Sequence, residues 1–155
     1  MKFSTQEVME APMEAVFAMI TNFDRFERAA MRRGADVRRV DDLKTPGVGM
    51  KWRAAFVMRG RDRKLDLEVV VYEPPQRMVL DLSSQGLHGD TRIELIALSR
   101  NRTRIMVSLE MRPLTLSARL LLQSLKLTKA ALTKKYKERI AHHIGEMEER
   151  YRDSA

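Results

Sequence analysis

The last quarter of the chain predicts one long amphipathic helix over residues 114–151. This stretch follows Pro113 and contains no proline and only one glycine, Gly145. Its apolar residues recur mostly at steps of three and four, the period of one helix face, and much of the opposite face is Lys, Arg, Glu and Gln. At about 1.5 Å per residue the helix would be roughly 50 Å long, and it would need a large apolar surface to pack against. Its apolar stripe comprises Leu114, Ala118, Leu121, Leu125, Leu132, Tyr136, Ile140, Ile144, Met147 and Tyr151.

Between residues 35 and 112 the period of the apolar residues changes to two, which predicts β-strands. Residues 50–59 alternate most clearly, and four further alternating stretches follow, separated by turns at residues 60–63, Pro74-Pro75 and Asn101 and by an expected loop over residues 83–89. Strands with one apolar and one charged face, joined by short turns, are typical of an antiparallel meander with one side in water. The dry side of this sheet supplies the surface that the C-terminal helix requires.

The first 34 residues predict a strand followed by two short helices. Residues 3–10 alternate loosely, and Ala11-Pro12 then opens a helix, because proline at a helix start lacks only an N–H that would be unpaired anyway. Asn22 and Asp24 separate it from a second helix over roughly residues 23–32, in which Phe26 and Ala30 are expected to face inward. With a ragged strand over residues 36–42, seven strands are predicted, all in one domain spanning residues 1–155.

The charge balance favours anionic partners. The chain has 29 Lys and Arg against 21 Asp and Glu, a net charge of +8, which suits nucleic acid, a lipid surface or acidic ligands as well as simple solubility. The absence of cysteine excludes disulfides and thiolate chemistry and is compatible with a cytoplasmic protein. No run of 18 apolar residues and no apolar signal segment is present, so we expect neither a membrane span nor a secretory leader.

No sequence pattern predicts catalysis. The chain lacks Gly-x-Ser-x-Gly, a Walker loop and Gly-x-Gly-x-x-Gly, and the adjacent His142 and His143 diverge on a helix and cannot chelate a metal together. We therefore assign no catalytic residue, no metal and no cofactor. Tyr136 and His143 are the two polar side chains expected near the apolar stripe of the helix. For each of them a purely structural role is the simpler interpretation.

The order of elements, together with three local features, is similar to one known superfamily. The features are Ala11-Pro12 followed by Glu14-Ala15-Val16-Phe17, the Glu73-Pro74-Pro75 turn, and the hairpin over residues 98–103 before the last strand. The chain resembles the START/Bet v 1-like superfamily, which includes polyketide cyclase/dehydrase and lipid-transport proteins. The resemblance implies an α+β helix-grip fold. In that fold a curved seven-stranded antiparallel sheet surrounds a long C-terminal helix, two short helices follow the first strand, and a cavity lies between sheet and helix.

The resemblance implies three alternative functions. The first is binding or transport of an apolar small molecule, lipid- or quinone-like, in the cavity; eleven methionines suit such an adaptable pocket. The second is an interaction protein whose basic surface contacts an anionic membrane, RNA or the ribosome; no specific DNA binding is expected. The third is a cyclase/aromatase-like enzyme in which Tyr136, His143 or a carboxylate at a helix end orients an apolar substrate.

Two groups of residues follow from these alternatives. The expected cavity residues are Trp52, Phe56, Met58, Leu67, Val69, Leu80, Leu95, Val107, Leu109, Leu121, Leu125, Leu132, Tyr136, Ile140 and His143. The expected basic surface comprises Lys126, Lys129, Lys134, Lys135, Lys137 and Arg139, on the polar face of the C-terminal helix.

Overall fold

A computed structural model describes residues 1–154 and shows a seven-stranded sheet with four helices. Each predicted strand is present, and so are the two short helices after the first strand. In chain order the elements are β1 (Lys2–Met9), α1 (Met13–Ile20), α2 (Phe23–Arg32), β2 (Asp36–Arg39), β3 (Lys51–Met58), β4 (Arg61–Glu73), β5 (Arg77–Ser84), β6 (Leu87–Ser99), β7 (Arg102–Pro113), α3 (Leu116–Lys126) and α4 (Lys129–Ser154).

The sheet is entirely antiparallel, in the order β1-β7-β6-β5-β4-β3-β2. Directly paired residues share a face, so the register defines which side chains point inward, towards the helices. One inward row runs from Phe3 through Leu109, Thr91 and Leu80 to Val69. The expected alternation of apolar and charged positions is therefore confirmed, and the sheet presents an apolar inward face.

The C-terminal segment forms two helices, so the prediction of one continuous helix was wrong. The amide and the hydroxyl of Thr128 both donate to the carbonyl of Leu125, at 3.1 and 3.2 Å. This tight turn ends α3, because a threonine hydroxyl that bonds back to the preceding turn competes with the regular helical pattern. The α3 helix then packs against β7, whereas α4 runs along β1. No helix within residues 1–154 is long and apolar enough to cross a bilayer.

Two further sequence expectations were wrong. Residues 83–89 form a tight turn at Gln85 and Gly86 between two strands rather than a loop, and His88 lies on β6, where Nε2 is 3.0 Å from Asp81 Oδ2. In α2, Phe26 is 44% exposed. Its expected inward place is taken by Phe23, whose ring lies 5.0 Å from that of Trp52.

The main core lies between α1, the second half of α4 and the inward face of the sheet. Val16 and Phe17 of α1 pack with Ile144 and Met147 of α4 on Ile105 and its neighbours in the sheet. On the outward face, Asp90 is almost buried and is held by Arg92 at 3.1 Å and Arg112 at 3.4 Å. The outward face therefore pairs its charges, whereas the inward face depends on apolar burial.

Replacing Gly86 by alanine should destabilise the protein and loosen α3. Gly86 has φ +72°, and an added Cβ would lie 2.5 Å from Thr115 Oγ1, the atom that caps α3 by accepting from the Ala118 amide. The left-handed conformation alone costs an ordinary residue about 1–2 kcal/mol, so we expect a loss of roughly 2 kcal/mol or more in urea denaturation. The matched control is Gly145→Ala in α4, where a Cβ meets open space; it should stabilise by about 0.5–1 kcal/mol. Equal stability of Gly86→Ala and the wild type would contradict this packing.

Candidate functional site

Burial on the inward side of the sheet is uneven along the strands. At the end covered by α1 and the second half of α4, Met78, Leu95, Ile105, Ile144 and Met147 are at most 6% exposed. At the end covered by α3 and the first half of α4, seven inward apolar side chains are only half-buried. We call this group of side chains the α3-end site. Its residues are Phe56, Leu65, Leu109, Met111, Leu121, Leu125 and Leu132.

Tyr136 contributes an unpaired hydroxyl next to this region. Its ring packs on Phe3 of β1, with centroids 5.6 Å apart, and its buried hydroxyl has no hydrogen-bond partner within residues 1–154. Burial raises the pKa of Tyr136 above its ordinary value, so the phenol remains protonated at neutral pH and can donate a hydrogen bond. Leaving such a group unpaired costs about 1–3 kcal/mol, which a bound acceptor would offset.

Arg63 is a second inward donor that sequence reasoning missed. The register pairs Arg63 with Phe56, which places it on the inward face at the α3 end, and its buried Nε has no partner among the described residues. A guanidinium is always charged. Arg63 precedes Leu65 and Leu67 by two and four residues, so the alternation of the strand places it on the same face as these leucines. The sequence analysis instead predicts a turn over residues 60–63.

Trp52 connects α2 to the sheet. Its indole N–H donates to Glu27 Oε1 at 2.6 Å, the ring of Phe23 packs on one side, and the guanidinium of Arg39 lies 5.5 Å from the ring centroid. Arg39 is in turn held by Asp41, and this guanidinium keeps the pKa of Asp41 well below its usual range. Trp52 is thus buried as expected, with its polar atom used within the protein.

His143 faces a different opening, a groove of about 640 Å³ between α2 and α4. The groove is lined by charges of both signs, including Arg32, Arg33, Glu146 and Arg150. Burial, and then the charge of Arg33, lower the pKa of His143, against an opposing effect of Glu146. The mixed charges do not suit an apolar ligand, and the groove is separate from the α3-end site.

The remaining predicted cavity residues have several surroundings. Val69 and Leu95 are part of the main core, and Leu67, Leu80, Val107 and Ile140 pack against it. Met58 is 50% exposed near the tip of the β3–β4 hairpin, outside the packed interior. In α3 the fully buried leucine is Leu122, four residues after the buried Ala118, while the predicted Leu121 and Leu125 are half-buried.

The six residues of the predicted basic surface are all exposed. Lys126 lies at the end of α3, and the other five lie on α4, so they do not share one helix face as expected. Lys134 is 4.0 Å from Glu138, an exposed pair of little energetic consequence. The ribosome as a partner of this surface stays a prediction from charge.

Comparison with solved structures identifies the fold. A protein of Thermus thermophilus, TTHA0849, superposes with a TM-score of 0.68 at 13% identity, covering 100% of this chain and 99% of that one. The Zhui aromatase/cyclase of Streptomyces sp. R1128 gives 0.67 at 12% identity, covering 100% and 98%. A START superfamily protein of Mycobacterium smegmatis gives 0.56 at 13% identity, covering 86% and 95%. No family sequence model and no curated protein sequence matches the chain.

The protein has the START/Bet v 1-like fold. The helix-grip architecture inferred from the order of elements is confirmed, with the C-terminal helical segment against a seven-stranded sheet. At identities of 12–13% the likeness extends to the fold and not to individual site residues. A site in this chain is therefore assigned only from its own geometry.

His143 should make stability fall on the acid side. Because the pKa of His143 is lowered in the fold, the unfolded chain takes up the proton more readily below the ordinary value of 6.5. Stability is therefore fully present above that value and is lost as the pH falls towards the folded pKa. The drop in the urea midpoint between about pH 7.5 and about pH 5.5 should be smaller for His143→Gln than for the wild type. An identical loss in His143→Gln and in the wild type would contradict the assignment.

Proposed function

We propose that the protein binds an apolar small molecule with one polar or acidic end at the α3-end site. The single observation that carries the proposal is the coincidence, in one half of the interior, of half-buried inward apolar side chains with two buried donors that lack partners, Tyr136 and Arg63. Apolar groups that face inward yet remain accessible favour a ligand that completes their burial.

The chemistry of the site narrows the ligand class. Leucine, phenylalanine and methionine side chains provide contacts for an alkyl or ring system, and Met111 adds a flexible, polarisable group. The Tyr136 hydroxyl supports recognition of an oxygen acceptor. The positive charge of Arg63 favours a carboxylate or similar group. A fatty acid or another acidic lipid-like molecule fits this combination better than an uncharged hydrocarbon.

The cyclase alternative has less support. Tyr136 and His143 are two helical turns apart, about 10 Å along the axis of α4. Tyr136 packs on β1, whereas His143 faces the groove beside α2. They therefore do not converge on one substrate position. The Streptomyces neighbour is an aromatase/cyclase, but at 12% identity this supports the fold alone.

A ligand panel tests the proposed function. Among matched C16 ligands, the fatty acid should raise the melting temperature most, the alcohol less and the hydrocarbon least. An acid at about 100 times its dissociation constant adds roughly 2.7 kcal/mol to the free energy of unfolding, or about 5–10 °C to the melting temperature of a chain of this size. Solvent extraction of gently purified protein, followed by mass spectrometry, should recover such a molecule. Leu109→Trp, which fills the site, should abolish the shift, whereas Val57→Trp, at a position 69% exposed, should retain it. No shift with any acid in the wild type would refute the proposal.

Tyr136→Phe separates ligand recognition from folding. Removing an unpaired buried hydroxyl should leave the free protein equally stable or stabilise it by up to about 1 kcal/mol. The same change should weaken binding of the acid about five- to tenfold, because one hydrogen bond to the ligand is lost. Isothermal titration and thermal unfolding measure the two effects. Tyr151→Phe, at the far end of α4, is the control and should not change affinity; a destabilised Tyr136→Phe with unchanged affinity would mean that the hydroxyl is structural.

A further inference from the structure

The α3 helix has two apolar faces on opposite sides. Ala118 and Leu122 point inward and are buried. Leu116, Leu120 and Leu127 recur on the other side, since 3.6 residues per turn places them within about 40° of one another. They are 73%, 58% and 89% exposed. Leu114, just before the helix, is 71% exposed. We call these four residues the leucine ridge.

The segment that bears the ridge carries basic residues and no acidic residue. Residues 114–137 contain six basic residues and no acidic residue. All 21 acidic residues of the chain lie elsewhere, so this segment supplies six of the eight net positive charges. Arg119 and Lys126 lie along one side of the ridge on α3, and Lys129 follows Leu127 at the turn. The basic residues are Arg119, Lys126, Lys129, Lys134, Lys135 and Lys137.

We propose that the leucine ridge docks on the surface of an anionic lipid bilayer. Leucines projecting from a helix that is flanked by lysine and arginine are the arrangement of an interfacial membrane helix, in which apolar side chains enter the acyl boundary and the cations remain at the head groups. An RNA would be attracted by the cations but would have no use for projecting leucines, and the ridge carries no aromatic side chain for base stacking. Charge and apolarity together therefore favour lipid over nucleic acid.

The topology supports this orientation. The α3 helix follows the end of β7, and the register places the β5–β6 turn and the tip of the β3–β4 hairpin at the same end of the sheet. That hairpin tip carries Arg59 and Arg61 beside the exposed Val57 and Met58. The end of the molecule that bears the ridge thus carries two further arginines and two further exposed apolar side chains, with Asp62 as the acidic residue of that hairpin tip. The docking surface does not depend on the proposed ligand site.

Vesicle sedimentation tests the proposal with the intact chain. The wild type should bind phosphatidylcholine vesicles containing about 30% phosphatidylserine, and bind them at least about tenfold more weakly when the serine lipid is omitted or when salt is raised to about 0.5 M. The variant Leu116→Gln/Leu120→Gln/Leu127→Gln should lose at least about tenfold in binding with an unchanged circular dichroism spectrum. The matched control is Val70→Thr/Ile96→Thr/Leu98→Thr, at three exposed apolar positions, and it should bind like the wild type.

A fluorescent label gives a second readout that does not depend on the variants folding equally well. The chain has no cysteine, so Leu120→Cys and Leu98→Cys each accept a single environment-sensitive dye. The dye at position 120 should shift to the blue with the anionic vesicles, and the dye at position 98 should not. Sedimentation without that shift would overturn insertion of the ridge. Binding to ribosomes but not to vesicles would overturn the choice of lipid, and so would a ridge variant whose only effect is to convert a dimer into a monomer.

Discussion

The whole structure depends on covering the apolar inward face of the sheet. A seven-stranded antiparallel sheet with one apolar face is not stable in water, because each exposed Å² of apolar surface forgoes roughly 25 cal/mol of burial free energy. The first cover comes from Val16 and Phe17 of α1 together with Ile144 and Met147 of α4, which close one end tightly. The second cover is α3, which closes the other end through Ala118 and Leu122. The difference in packing between the two ends creates the α3-end site.

The break at Thr128 is what allows the two covers to differ. A single straight helix would continue along β1 in the line that Ile144 and Met147 define. Its first part could then not lie on β7 separately. Ending α3 at Lys126 lets the preceding segment lie on β7 independently. Thr115 caps this shorter helix and at the same time contacts Gly86 in the β5–β6 turn. The position of α3 is thus coupled to a turn of the sheet, and changes in that turn reach the helix that bounds the site.

Sequence patterns predicted the sheet well because side-chain alternation is a local property of a strand. The seven strands and the order of elements follow from it, and the fold follows from the order. The helix break was missed because residues 126–128, Lys-Leu-Thr, contain neither glycine nor proline. The helix ends where the amide and the hydroxyl of Thr128 both bond to the Leu125 carbonyl. The role of Leu120 was equally hidden, since the run Leu120-Leu121-Leu122 places a leucine on every side of α3, and tertiary contacts decide which one is buried. Unpaired donors such as the Tyr136 hydroxyl are a property of their surroundings and have no sequence signature.

The placement of charge argues that the α3 end has a role beyond solubility. A basic residue that serves only to keep a protein soluble can lie anywhere on its surface, and on the outward face of the sheet arginines are indeed interspersed with acidic partners such as Asp66 and Asp90. Residues 114–137 contain six basic residues and no acidic residue, and α3 leaves leucines of its outer side in water. Clustered like charge and exposed leucine each weaken an isolated domain, the first by self-repulsion and the second by unburied surface. An anionic lipid surface removes both costs at once, and it would do so at the helix whose other face bounds the α3-end site.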